Sequence, residues 1–87
     1  MTVFVKFVAF ASEVPKTRTA IDVAEGSSLA ELLNQLWETW KDDLKEYGSN
    51  SIFLDHVLAA SNHVMLQPDD KLRDNQEVVV VGQIIGG

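Results

Sequence analysis

The chain has 87 residues, 46% of them hydrophobic, with no cysteine and a net charge of −6. Without cysteine it holds no disulfide, thiolate zinc site, iron–sulfur cluster or cysteine nucleophile, so any sulfur it handles must be delivered from outside. Its seven basic residues are scattered through an acidic sequence and do not form the clustered positive surface that phosphate neutralisation needs, which argues against nucleic acid as a partner.

A chain this short buries only about 60% of the surface its unfolded form exposes, so it makes one domain in which each apolar position counts. The apolar run Val3–Ala11 contains Lys6, follows no basic segment and is too short to cross a bilayer. The expectation is a soluble, cytoplasmic protein without a membrane partner.

Thr2–Phe10 is predicted as a strand, with Val3, Val5 and Phe7 on one face and Phe4, Lys6 and Val8 on the other. Lys6 is costly to bury, so the Val3/Val5/Phe7 face is expected in the core. Ala11–Lys16 reads as a turn around Pro15, and Thr17–Val23 as a second strand completing a hairpin. Ser28 with Glu31 forms a capping box that opens a helix, and loss of the Ser28 hydroxyl should cost about 1 kcal/mol.

Leu29, Leu32, Leu33, Leu36, Trp37 and Trp40 recur at helical spacing and mark the buried stripe. The polar run Lys41–Glu46 finishes this helix, with Gly48 as a left-handed stop after Tyr47. Ser49–Asp55 reads as irregular, with Ile52, Phe53 and Leu54 against the core. His56–Ala60 is expected as a third strand, Ser61-Asn62 as a turn and His63–Met65 as a short return strand. Pro68-Asp69-Asp70 turns the chain, Leu72 anchors it, and Asp74-Asn75 makes a tight turn before the last strand, Glu77–Val81.

One amphipathic helix needs a sheet to cover, so the fold class is α+β, a mixed sheet packed on one main helix. The first and last strands, being the most apolar, are expected side by side, parallel and central.

This order, together with Val81-Gly82-Gln83-Ile84-Ile85-Gly86-Gly87, resembles the ubiquitin-like sulfur carriers of the MoaD/ThiS type, most of all the molybdopterin synthase small subunit (MoaD). Phe10-Ala11 resembles the Phe-Ala that ends the family's first strand. Glu25-Gly26-Ser27-Ser28-Leu29-Ala30-Glu31-Leu32-Leu33 resembles its helix opening, Glu-Gly-Ala-Thr-Val-Ala-Glu-Leu-Leu. Leu72-Arg73-Asp74-Asn75-Gln76-Glu77-Val78 matches Leu-Lys-Asp-Gly-Asp-Glu-Val, and the Gly-Gly end completes a set that runs in register along nearly the whole chain. The opening Met1-Thr2-Val3-Phe4-Val5-Lys6 is also similar to the start of ubiquitin.

The resemblance implies a β-grasp domain over 1–81 and a flexible Gly-Gly tail over 82–87. Gly82-Gln83 stands where the family usually has Pro-Pro or Thr-Pro, which should loosen the base of the tail. Ser61-Asn62-His63 replaces the family's Asn-Gly turn.

The function implied is that of a sulfur carrier, not an enzyme by itself. A terminal carboxylate is a poor electrophile at neutral pH and needs activation. A ubiquitin-activating-type adenylyltransferase would use ATP to make an acyl-adenylate on Gly87, and sulfur would replace AMP to leave a thiocarboxylate. Molybdopterin synthase large subunit, or another acceptor enzyme, would take that sulfur for molybdopterin or tungstopterin assembly. No permanently bound cofactor is implied. A protein modifier joined to lysines, a thiamine-pathway carrier and a plain β-grasp interaction domain are the alternatives.

Extended, the six residues from Gly82 reach roughly 20 Å. Gly86 gives clearance beside the reacting Gly87, and Ile84 and Ile85 supply an apolar grip. Phe4, Val8, Val79 and Val81 should share the sheet face away from the helix. They are either a partner surface or covered by Ser49–Asp55. His56 and His63, seven residues apart with no further ligands, are not expected to bind metal. Asp42, Asp43 and Glu46 form a solvated face, Trp37 and Trp40 pack, and Ser27 and Ser28 have no His partner for nucleophilic work.

Overall fold

Strand β1 (Thr2–Val8) alternates as its sequence requires: Val3, Val5 and Phe7 are buried, while Lys6 and Val8 face out. The computed structural model describes residues 1–10 and 14–82, the side chain of Glu46 excepted. Residues 11–13, within the expected turn, lie outside them. The second strand, β2 (Thr19–Asp22), is shorter than expected and pairs antiparallel with β1.

Helix α1 (Leu29–Trp40) starts at the expected cap. Its first four N–H groups are all satisfied: Leu29 donates to the Asp70 carbonyl at 2.9 Å, Ala30 to that of Pro68 at 2.9 Å, Glu31 to Ser28 Oγ at 3.3 Å and Leu32 to the Ser28 carbonyl at 3.0 Å. In return the Glu31 carboxylate accepts from the Ser28 N–H at 3.1 Å, closing the capping box. Leu29, Leu32, Leu33 and Leu36 are buried, with Trp37 and Trp40 packed at the margin.

The helix stops at Trp40 instead of running on to Tyr47. Asp42 and Asp43 are weak helix formers and stand at the negative end of the helix dipole, where acidic residues are unfavourable. Asp43 and Leu44 both donate to the Trp40 carbonyl at 2.9 Å, which tightens the chain and drops Leu44 into the core, fully buried. A one-turn 3-10 helix (Lys45–Tyr47) follows, and Gly48, at φ 83, closes it by donating to the Lys45 carbonyl.

A second helix, α2 (Asn50–His56), occupies the stretch expected to be irregular. Ser49 caps it by accepting from the Ile52 N–H at 3.3 Å. Phe53 is fully buried and Leu54 half-buried, as expected, but Ile52 turns outward and is exposed.

The third strand, β3 (Val57–Ser61), begins one residue later than expected because His56 completes α2, its ring nitrogen Nδ1 lying 2.9 Å from the Ile52 carbonyl. Asn62 and His63, at φ 51 and 66, form the turn into β4 (Val64–Met65), so His63 belongs to the turn and not to the strand. Two left-handed residues suit the twist of an antiparallel hairpin. Asn75, at φ 64, makes the predicted tight turn and donates to the Thr2 carbonyl, while Asp74 Oδ1 accepts the Thr2 N–H at 2.9 Å. That turn fastens the start of β1 beside β5 (Glu77–Gly82).

The five strands lie in the order β2-β1-β5-β3-β4, with β1 and β5 parallel in the centre. β3 runs antiparallel to β5 and to β4. Val3, Val5 and Phe7 of β1, Val78 and Val80 of β5 and Val57 and Ala59 of β3 meet the leucines of α1 in one core, with Leu72 beneath the loop. Each fully buried Leu or Val side chain there stabilises the fold by roughly 1.5–3 kcal/mol.

Candidate functional site

Register decides which residues share the sheet face opposite α1. Lys6 lies beside Val79 and Val8 beside Val81; Val79 and Val81 lie beside Ala60 and Leu58 on their other flank. Phe4 is opposite Ala20, and Ala60 is opposite Met65. The four residues expected on this face are there, and the patch is larger than expected. Leu58 and Met65 extend it across β3 and β4, with 43% and 50% of their surfaces exposed. Alternation within β3 carried the signal for Leu58, but only pairing with β5 gave it meaning.

The segment 49–55 does not cover this face. Phe53 packs on Trp37 and Tyr47, with ring centroids 5.7 and 5.4 Å away, which puts α2 on the helix side of the sheet. What screens Phe4 is Arg18, whose guanidinium carbon stands 3.6 Å above the ring centroid. Glu77 fixes it, both carboxylate oxygens accepting from Arg18 Nε, one of them at 3.1 Å. Lys6, Lys16, Thr17, Arg18, Glu77 and Val79 line a shallow groove along this margin. The groove is positive in a chain that is otherwise acidic.

β5 leads from the core directly into the C-terminal segment. It reaches Gly82, one residue into the stretch expected to be tail, and Gly82 is paired with Val57. Ile84, Ile85, Gly86 and Gly87, proposed above as grip, clearance and reacting residue, lie outside the described residues.

Elsewhere the polar groups have structural partners. Ser27 Oγ donates to the Ala24 carbonyl at 2.7 Å, and Ser28 is committed to the cap. The backbone N–H and hydroxyl of Ser28 hold the Glu31 carboxyl below the ordinary carboxylate value. Among the described residues no group of three His, Cys, Asp or Glu side chains could hold a metal ion. Among them, too, no helix is long and apolar enough to cross a membrane.

A parallel β1–β5 centre, a single long helix across one face and an open apolar face on the other define a ubiquitin-like β-grasp protein. The ThiS family model matches residues 5–87, and the chain belongs to that family of small ubiquitin-like carriers and modifiers. Its fold is similar to that of SAMP1 from Haloferax volcanii, at TM-score 0.76 and 16% identity over 100% of both chains. It is also similar to a putative molybdopterin converting factor, subunit 1, from Pyrococcus furiosus, at TM-score 0.73 and 19% identity over 97% of this chain and 99% of that one. Caldiarchaeum subterraneum ubiquitin shares the fold at TM-score 0.65 and 11% identity, over 100% of this chain and 98% of its own. No curated protein sequence matches the chain significantly.

Proposed function

We propose that the chain is a sulfur carrier whose terminal Gly87 is adenylated and converted to a thiocarboxylate, with molybdopterin or tungstopterin assembly as the destination of the sulfur. The path of β5 supports this reading above all. The central strand delivers Gly82 to the edge of the domain beside an apolar face, with five residues still to come and Gly86-Gly87 at their end. Extended, five residues reach about 17 Å, enough to thread a carboxyl group into an enclosed active site while the body docks outside.

The chemistry assigns the chain the role of co-substrate. The Gly87 carboxylate attacks the α-phosphorus of ATP in an adenylyltransferase, releasing pyrophosphate and forming the acyl-adenylate. A persulfide sulfur then attacks the acyl carbon and AMP leaves. A thiol cleaves the resulting acyl disulfide, keeping one sulfur on Gly87 as thiocarboxylate and leaving a disulfide behind. Phe4, Val8, Leu58, Val79 and Val81 provide the docking face for the adenylyltransferase and, in turn, for the sulfur acceptor, such as a molybdopterin synthase large subunit.

A second reading, a protein modifier joined through Gly87 to lysines of other proteins, is favoured by the likeness to a small archaeal modifier protein of H. volcanii, at TM-score 0.73. Both readings use the same activated glycine. Intact mass after incubation with adenylyltransferase, ATP and a sulfur donor tests the first: it requires exchange of one oxygen for sulfur. Arg73 is the last basic residue, so branched tryptic peptides carrying residues 74–87 on a target lysine would instead support the second.

A further inference from the structure

Gly82 sits where the domain hands over to its C-terminal segment, and its surroundings leave no room for a side chain. A methyl group there would stand 2.8 Å from the Ala9 carbonyl oxygen, 3.0 Å from the Tyr47 hydroxyl and 3.2 Å from Cδ1 of Phe10. None of the three has an easy retreat. Ala9, the residue after β1, lies in the left-handed region at φ 63, and the oxygen it sets against Gly82 is a backbone atom that cannot swing aside as a side chain can. Phe10 is buried edge-on to Phe7 at 5.3 Å, and Tyr47 is buried between Phe10 at 6.1 Å and Phe53 at 5.4 Å. On its other flank Gly82 is held in register with Val57 of β3.

A glycine at this position should loosen the chain, because it loses the most conformational freedom on ordering. Here packing does the opposite. We propose that Gly82 is the fixed pivot of the carrier tail: Ala9, Phe10 and Tyr47 close on its Cα and so set the point and direction from which residues 83–87 enter a partner's active site. The geometry stands by itself; its consequence for loading rests on the carrier reading. Gly82 is thus a positioning residue, remote from the reacting carbonyl, and the tight approach is the reason it is glycine. Substitution by alanine displaces the backbone at Gly82 from the Ala9 carbonyl and mis-aims the tail, while Phe4 and Val79, further back along the strands, keep their places in the docking face. Misplacement of about 1 Å at a reacting group costs on the order of 100-fold in rate.

Two measurements test this. Amide ¹⁵N relaxation of the free wild-type protein should give Gly82 an order parameter of about 0.85, like the rest of β5; a value below about 0.6 overturns the pivot. Steady-state adenylation of Gly82→Ala should show kcat reduced about 10- to 100-fold with KM unchanged, the mark of a body that docks normally and presents its end badly. A folded Gly82→Ala protein loaded at the wild-type kcat overturns the proposal. If the variant does not fold, the wild-type relaxation still decides. If the wild-type chain is never adenylated, the carrier reading fails, and the order parameter alone decides whether Gly82 is fixed.

Discussion

The ring of Phe53 meets that of Tyr47 nearly at right angles, 5.4 Å between centroids, and this contact ties α2 to the 3-10 turn and through it to Phe10, just past β1. Phe53 is fully buried and also lies against Trp37. Phe53→Ala should therefore destabilise the domain by about 3–5 kcal/mol, read as a lower urea midpoint at unchanged slope. A loss below about 1 kcal/mol would mean that α2 is only loosely attached.

The capping box makes a smaller and more local contribution. Ser28→Ala removes the acceptor for the Glu31 N–H and should cost about 1 kcal/mol by urea unfolding at neutral pH. Unchanged stability would show that the loop carbonyls of Pro68 and Asp70 hold the helix start without it.

Glu31 carries a pH dependence whose sign is set by the same contact. Its carboxyl is held below the ordinary value of 4.5, first by the Ser28 N–H and then by the Ser28 hydroxyl. A depressed carboxylate adds stability above pH 4.5, and that addition fades as pH falls through its lower folded value. Glu31→Gln keeps an acceptor oxygen but cannot titrate. The stability gap between wild type and variant should be constant above pH 4.5 and should close below it, by urea unfolding at a series of pH values. A gap that widens on acidification would contradict the assignment.

On the open face, Val79→Glu and Leu58→Glu should abolish capture by the activating enzyme and leave the circular dichroism spectrum unchanged. Leu58 is exposed and Val79 half-buried at the centre of the patch, so neither holds the core. Binding that survives both substitutions would place the docking surface elsewhere.

Much of this architecture was legible in the sequence because its signals are local. The alternation of Val3, Val5 and Phe7, the Ser28–Glu31 pair and the leucine stripe each report a period or a cap, and each element forms where they place it. Central, parallel pairing of β1 and β5 followed from their shared apolarity. What escaped depends on tertiary context. α2 spans seven residues, too few for a helical period to stand out, and Ser49 was its only cap signal. The early end of α1 follows from where Leu44 could be buried. The walls around Gly82 come from Ala9, Phe10 and Tyr47, all distant from it in sequence. For the site, four apolar face residues could be read in advance; Leu58, Met65 and the Arg18–Glu77 screen over Phe4 needed the register.

The most direct test of the carrier account compares the wild-type chain with one lacking Gly87, each incubated with the adenylyltransferase, ATP and a persulfide donor and then weighed intact. The account predicts a thiocarboxylate on the full-length chain and none on the shortened one, with identical circular dichroism for both. Equal sulfur loading of the shortened chain would contradict it.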